Sequence, residues 1–227
     1  MISVVMVSYL GDYPGARSNP IPKFIRAVNS FLDQTLKESE LIILSDGCHV
    51  TQDVFQEHFS GEDRVKLVMN EKHQGWPGAL RNLGIEEAKY PLITYLDADD
   101  AMLEDRLEKL VNAMKSNGFA MLLDSLYVIP HDNYAYGPRK NTVKKVSKIK
   151  WQETEFTVYE TGNQGGTYQL CHRKRVKSRW PINHKNRGED AIFIKRLLEE
   201  CDEKLNTYLV PIGGYLVCHS PWLKFDV

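Results

Sequence analysis

Four uninterrupted apolar runs mark the first hundred residues: SVVMVSY at 3–9, LIILSDG at 41–47, VKLVMN at 65–70 and PLITYLD at 91–97. They lack the strict alternation of half-exposed strands, so they predict strands buried on both faces, as in a parallel sheet. Between them the period becomes helical. IPKFIRAVNSFLDQT places Phe24, Ile25, Val28, Phe31 and Leu32 on one face, and GALRNLGIEEAKY does the same with Leu80, Leu83 and Ile85. VTQDVFQEHFS supplies a third helix. Strands alternating with helices of this length imply right-handed crossovers and an open α/β sheet.

The second half is less regular. A helix is expected over 104–116, and FAMLLDSLYVI at 119–129 reads as another strand. GPRKNTVKKVSKIK at 137–150 carries six basic residues and is too polar for a core, which predicts a hairpin or a mobile loop. GEDAIFIKRLLEEC is a late helix with Ile192, Leu197 and Leu198 among its apolar positions and Glu189 and Asp190 in its first turn. TYLVPIGGYLVCHS reads as two short strands around Pro-Ile-Gly-Gly. No linker divides the chain, so residues 1–227 are expected to form one domain.

Composition narrows the class. With 42% hydrophobic and 26% charged residues over 227 positions, the chain is globular rather than disordered. The net charge is −1, but residues 1–100 hold 9 Lys/Arg against 15 Asp/Glu, and residues 101–227 hold 20 against 15. This split argues against a uniformly basic nucleic-acid binder and suits an acidic site facing a cationic wall. Cys48, Cys171, Cys201 and Cys218 form no CxxC pair, so neither a zinc site nor a disulfide framework is signalled and a reduced, cytoplasmic chain is expected. The opening MISVVMVSYLGDYP has no basic lead or cleavage site, and no apolar stretch approaches the ~18 residues of a membrane span.

In open α/β sheets ligands settle beyond the carboxyl ends of the strands. Polar residues stand at each such exit: Ser8 and Tyr9, Asp46 and Gly47, Asn70, and the group Asp97, Asp99 and Asp100. In an extended chain Asp97 and Asp99 share a face, and Ala98 leaves room between them. Two close carboxylates repel unless a cation joins them, and Mg²⁺ or Mn²⁺ takes hard oxygen ligands of this kind. The plainer alternative is a polar turn whose acids cap the next helix.

Taken in order, SVVMVSY, SFLDQTLKESELIILSDG, HQGWPGALRNLGIEEAKYPLITYLDADD and the GED that opens a helix resemble the family 2 glycosyltransferases of the GT-A fold. The resemblance is strongest over residues 1–105 and resumes around 162–200. It implies a Rossmann-like open mixed sheet, mainly parallel and flanked by helices. Residues 1–105 would be the nucleotide-sugar-binding half, and 106–227 the acceptor-binding and catalytic-base half. The implied reaction is an inverting, metal-dependent transfer of a sugar from a nucleotide-diphosphate donor, UDP being expected, to a hydroxyl of a saccharide, lipid-linked or protein acceptor.

The resemblance also carries roles onto matching positions. Ser8 and Tyr9 would line the nucleoside pocket and Asp46 the base, although Ser45 stands where the family usually has a second acid. Arg81 would face the diphosphate or a carboxylate of the metal site, unless it lies on a solvated helix face. Gly75 and Gly78 would permit close backbone approach. Asp99 would ligate Mn²⁺ or Mg²⁺, Asp97 the ribose or the metal, and His219 would add a late metal ligand. Asp190 would be the general base. Asp100 is expected to cap the following helix, and Glu189 to serve the helix dipole.

On the acceptor side, Trp151, Trp180, Tyr168 and His172 are either a platform for a sugar ring or core. The basic stretches 139–150 and 173–179 either meet an anionic acceptor or are solvated surface, with scope for peripheral membrane contact. Two other readings share these features: a nucleotidyltransferase, for which an early Gly-rich phosphate loop is missing, and a non-catalytic binder of nucleotide sugars or glycans.

Overall fold

The computed structural model describes residues 1–12, 18–72, 77–116, 120–130, 143–151, 154–161, 166–182, 188–201 and 209–218. The four apolar runs are strands: β1 (Ile2–Ser8), β2 (Ser39–Asp46), β3 (Val65–Asn70) and β4 (Leu92–Tyr95). They alternate with helices α1 (Pro20–Leu32), α2 (His49–His58) and α3 (Gly78–Glu87). Then follow β5 (Ala101–Met102), α4 (Arg106–Ser116), β6 (Met121–Asp124), β7 (Leu126–Pro130), β8 (Val143–Trp151) and β9 (Thr154–Thr161). A 3-10 turn (Thr167–Gln169) leads into β10 (Leu170–Arg173), α5 (Glu189–Glu200), β11 (Leu209–Val210) and β12 (Tyr215–Leu216).

Seven strands form the main sheet in the order β11-β6-β10-β4-β1-β2-β3. β1 pairs in parallel with both β2 and β4, β2 with β3, and β6 with β11, whereas β10 runs antiparallel to β4 and β6. The expected mixed, mainly parallel sheet is therefore present. The chain moves outward from β1 to β3 and then returns to β1's other side with β4. That reversal opens a crevice at the carboxyl ends of β1 and β4, where open α/β sheets take ligands.

Burial on both sheet faces explains the apolar runs of β1, β2 and β4, whereas β3 closes the sheet as an edge strand with Lys66 and Met69 exposed, so it is not the doubly buried strand that its run predicts. Val4, Met6 and Ile43 pack with Phe24, Val28 and Phe31 of α1 and with Leu107 and Leu110 of α4. Val5, Ile42 and Leu44 face the other way, onto Leu80 and Ile85 of α3 and Phe193 and Leu197 of α5.

The second half departs from the expected elements in two places, the strand expected at 119–129 and the buried face of α5, while the basic stretch takes the hairpin form expected of it. The strand expected at 119–129 is broken at Ser125 into β6 of the main sheet and β7 of a separate β7-β9-β8 sheet. Asp124 causes the break: its carboxylate accepts from the Leu126 amide at 2.9 Å and is held by Arg106 at 2.7 Å. The same carboxylate accepts the Ile212 amide at 3.0 Å, so this buried pair joins β6, α4 and the turn before β12. Residues 143–151 of the basic stretch form the edge strand of a hairpin with β9, whereas 137–142 lie outside the described residues. In α5 the buried face is Phe193, Ile194 and Leu197, while Ile192 stays half-exposed.

Candidate functional site

Beyond β4 the chain enters an acid turn, Asp97 to Asp100, at the crevice floor. Arg81 of α3 reaches into it. Its guanidinium forms a short ion pair with Glu189 and lies 3.8 Å from the carboxylates of both Asp97 and Asp190. One cation thus ties the end of β4 to the first turn of α5, where acidic side chains also gain from the helix dipole. Arg81 is buried rather than on a solvated face, and Glu189 is its buried partner rather than only a dipole acid.

The Arg81 guanidinium lies over the Trp180 ring, 4.6 Å from its centroid. Asn82 fixes that ring from the next position, accepting from the Trp180 amide at 2.8 Å and donating to its carbonyl at 3.1 Å. Gly78 makes this approach possible, because a Cβ there would collide with the Pro181 carbonyl oxygen.

The Asp97 carboxyl is pushed up to about 7, first by burial and then by repulsion from Asp100, Asp99 and Asp190, against the pull of Arg81. Its side chain keeps 41% of its exposure, so water screens part of the burial penalty, and the repulsion among acids is what an added cation would relieve. Among the described residues no three His, Cys, Asp or Glu side chains converge as a complete ligand set. Asp97 and Asp99 offer two hard oxygen donors, which fits an ion of the Mg²⁺ type that completes its shell with water and phosphate. His219 and Gly75 lie outside the described residues.

Asp100 does not cap a helix: β5 follows it, and α4 begins only at Arg106. Its Oδ1 accepts from the Cys218 amide at 2.7 Å and its Oδ2 from the Tyr215 hydroxyl at 2.9 Å, so it fastens the turn to the strand after residue 213.

On the β1 and β2 side, Ser8 is buried at the end of β1 with its hydroxyl 3.3 Å from that of Thr51. Tyr9 and Asp46 are half-buried at the strand exits. Lys72, just beyond β3, places its ammonium 4.2 Å from the Tyr9 ring centroid and donates to the Tyr9 hydroxyl at 2.9 Å. Gly47 has φ +63°, and a Cβ on it would stand 2.6 Å from the Lys72 amide nitrogen, so only glycine allows the β2 exit and Lys72 to lie this close.

Asp190 accepts a 2.7 Å hydrogen bond from the Thr167 hydroxyl, which orients it. Trp180 and His172 are core, not a sugar platform: they are 1% and 0% exposed. Trp180 stacks on Phe193 at 4.3 Å and donates through Nε1 to the Tyr95 hydroxyl at 2.9 Å, and that hydroxyl lies 2.8 Å from His172 Nε2. Because His172 Nδ1 meets the Arg173 carbonyl at 3.0 Å, Nδ1 carries the proton and Nε2 accepts from Tyr95. Burial pulls His172 down to about 4, so it is neutral. Trp151 packs near Phe156 in the β7-β9-β8 sheet, and the Tyr168 side chain lies outside the described residues.

Sequence reasoning missed Thr167, Asn82 and Lys72. The Gly-rich stretch before Thr167 and the polar exit of β3 were the available signals.

Comparisons with known proteins agree with this architecture. The sequence model described as Glycosyl transferase family 2 matches residues 16–180, a span that includes Arg81 and the acid turn and stops before Glu189 and Asp190. Over 185 residues the chain is 31% identical to an uncharacterized glycosyltransferase of Haemophilus influenzae, covering 79% of this chain and 68% of that one. Over 152 residues it is 28% identical to the Escherichia coli UDP-Glc:alpha-D-GlcNAc-diphosphoundecaprenol beta-1,3-glucosyltransferase WfgD, covering 65% of this chain and 55% of that one. The fold is similar to S. aureus TarS 1-349 in complex with UDP-GlcNAc, with a TM-score of 0.68 and 15% identity over 95% of this chain and 57% of that one. The chain thus spans only part of each protein's length, and at 15% identity the likeness to TarS concerns the fold alone.

Proposed function

The chain belongs to glycosyl transferase family 2, and on that premise we propose that it transfers a sugar, with inversion, from a UDP-linked donor to a hydroxyl of a lipid-linked or other saccharide acceptor. The observation that carries the reading is the Arg81 junction, which brings Asp97 and Asp190 to one guanidinium. UDP is favoured because WfgD is described as acting on UDP-Glc and the TarS structure holds UDP-GlcNAc. A lipid-linked acceptor is favoured by the diphosphoundecaprenol in WfgD's description.

In this reading residues 1–105 hold the donor, with Tyr9, Asp46 and Lys72 around the nucleoside. Residues 106–227 hold the acceptor and the base within the same domain. Asp97 and Asp99 would hold a divalent cation, which when bound supplies positive charge against the donor diphosphate. Asp190, oriented by Thr167, removes the proton of the acceptor hydroxyl. The acceptor oxygen bonds to the anomeric carbon from the face opposite the diphosphate. The carbon–oxygen bond to phosphate breaks, and the nucleoside diphosphate leaves with the electron pair. Arg81 keeps base and acid turn in register by holding Glu189 and Asp97 together.

No helix among the described residues is long and apolar enough to cross a membrane. We place the enzyme on the cytoplasmic side, where the exposed Lys144, Lys145, Lys148 and Lys150 of β8 give it a means of peripheral membrane contact.

Thermal-shift measurements with nucleoside diphosphates, with and without Mn²⁺ or Mg²⁺, test the reading. At a hundredfold excess over Kd, a bound donor adds about 2.7 kcal/mol, and the midpoint rises by roughly 5–10 °C. UDP with a divalent cation is expected to give this rise, and UDP in EDTA much less. No rise with any nucleoside diphosphate under either condition would contradict the proposal.

A further inference from the structure

The acid turn after β4 is held from two directions by residues that are not expected ligands. From α1, Arg26 Nη2 donates to the Asp99 carbonyl at 2.5 Å and reaches the Cys218 carbonyl at 3.4 Å. From β12, the Tyr215 hydroxyl accepts from the Asp97 amide at 3.0 Å and donates to Asp100 Oδ2 at 2.9 Å. Asp100 Oδ1 receives the Cys218 amide at 2.7 Å. β12 pairs antiparallel with β5, and the Leu103 amide donates to the Gly214 carbonyl at 2.7 Å, so the segment that leaves the turn is tied to residues 214–216 as well.

From this geometry we propose that Tyr215 and Arg26 are positioning residues: they lock the backbone of residues 97–100 so that Asp97 and Asp99 present their carboxylates together to a cation-bound diphosphate. The physical reason is repulsion. Three carboxylates within four residues push apart, and a turn left to itself relaxes by splaying them. Tyr215 opposes that by bonding the first acid's amide and the last acid's carboxylate through one hydroxyl. Arg26 adds a fixed positive charge on the backbone of the middle acid. Asp100 thereby serves as the anchor of the turn. The inference rests on reading Asp97 and Asp99 as the ion-binding pair.

The test uses the full chain and UDP as probe. UDP affinity is measured by calorimetry in Mn²⁺ and in EDTA for wild type, Tyr215→Phe, Arg26→Met and Arg26→Lys. Amide hydrogen exchange is followed in parallel. Tyr215→Phe removes only an oxygen, and it is expected to weaken UDP binding in Mn²⁺ about tenfold, the worth of one to two hydrogen bonds. Affinity in EDTA should stay unchanged. Exchange should quicken together in 97–103 and 214–218, but not in α3 or α5. Arg26→Met should act the same way, and Arg26→Lys, which keeps a cationic donor, should recover most of the affinity.

A Tyr215→Phe protein with a lower melting point but unaltered Mn²⁺-dependent affinity overturns the proposal, because its residue would then be merely structural. Exchange that quickens in 214–218 alone overturns it as well. A wild-type chain whose UDP affinity is the same in Mn²⁺ and EDTA sinks the reading of the acid pair itself, and that failure shows in the parent protein rather than in the variants.

Discussion

Arg81 and Glu189 form the joint between the two halves of the site, and a double-mutant cycle measures it. Their side chains are 11% and 9% exposed, so neither charge is well solvated if its partner is lost. Arg81→Met strands three carboxylates beside one another. Removing one partner of a buried pair costs about 3–5 kcal/mol, and that is the loss expected here. Glu189→Gln is milder. The guanidinium still has Asp97 and Asp190 at 3.8 Å, each attracting it by about 4 kcal/mol at an effective dielectric of about 20 before desolvation is subtracted. The net cost should therefore stay near 1–3 kcal/mol, that of a hydrogen bond to a charged group.

Once Arg81 is gone, removing the Glu189 charge relieves repulsion instead of breaking a pair. The cycle should then give a coupling of about 2 kcal/mol. Urea unfolding at neutral pH and low salt provides the four free energies, with Trp180 fluorescence as a local reporter because the guanidinium lies 4.6 Å from its ring. A coupling below about 0.5 kcal/mol, typical of exposed pairs, would refute the argument that this joint holds base and acid turn in register.

Three further outcomes follow from the packing around that joint. Gly78→Ala drives a methyl into the Pro181 carbonyl and should cost about 1–3 kcal/mol, read as a lower urea midpoint with an unchanged slope. Asn82→Ala removes the 2.8 and 3.1 Å bonds to the Trp180 backbone and should cost roughly 1–3 kcal/mol, with a red-shifted tryptophan emission. His172 is held neutral at about 4 against an ordinary 6.5, so the stability it contributes is whole above pH 6.5 and is lost as pH falls from there toward 4. The loss amounts to about 3 kcal/mol, and His172→Gln should flatten that limb of an acid titration followed by near-UV circular dichroism.

The legible part of this fold is the part where burial acts on consecutive residues. β1, β2 and β4 are covered on both faces, and the apolar runs name them directly. β8 exposes residues 144–148 in an unbroken, lysine-rich row at a sheet edge, so its pattern resembles a loop until a partner strand is known. β10 is four residues long and gives no period to read. The same limit governs the site. Asp97, Arg81 and Asp190 stand at positions that strand exits and the family pattern single out.

The partners that fix those residues lie far away in sequence. Asp100 looks like a helix cap locally, and only its bonds to Tyr215 and Cys218, 115 and 118 positions away, show that it anchors the turn. Glu189 suits a helix dipole on its own, and becomes the partner of Arg81 only when α3 and α5 pack on the same sheet face. Trp180 could be a sugar platform or core by composition, and the stack with Phe193 decides for core.

The central claim is that Asp190 takes the proton of the acceptor hydroxyl while the acid turn holds the donor. Asp190→Asn keeps a hydrogen-bond acceptor for Thr167 and removes the charge of the proposed base, leaving Arg81 its Glu189 and Asp97 partners. Transfer from a UDP-sugar, followed as UDP release in the presence of acceptor, is expected to fall by at least about 10²-fold, with UDP affinity in Mn²⁺ within about twofold of wild type. Wild-type transfer rates in that variant would contradict the account.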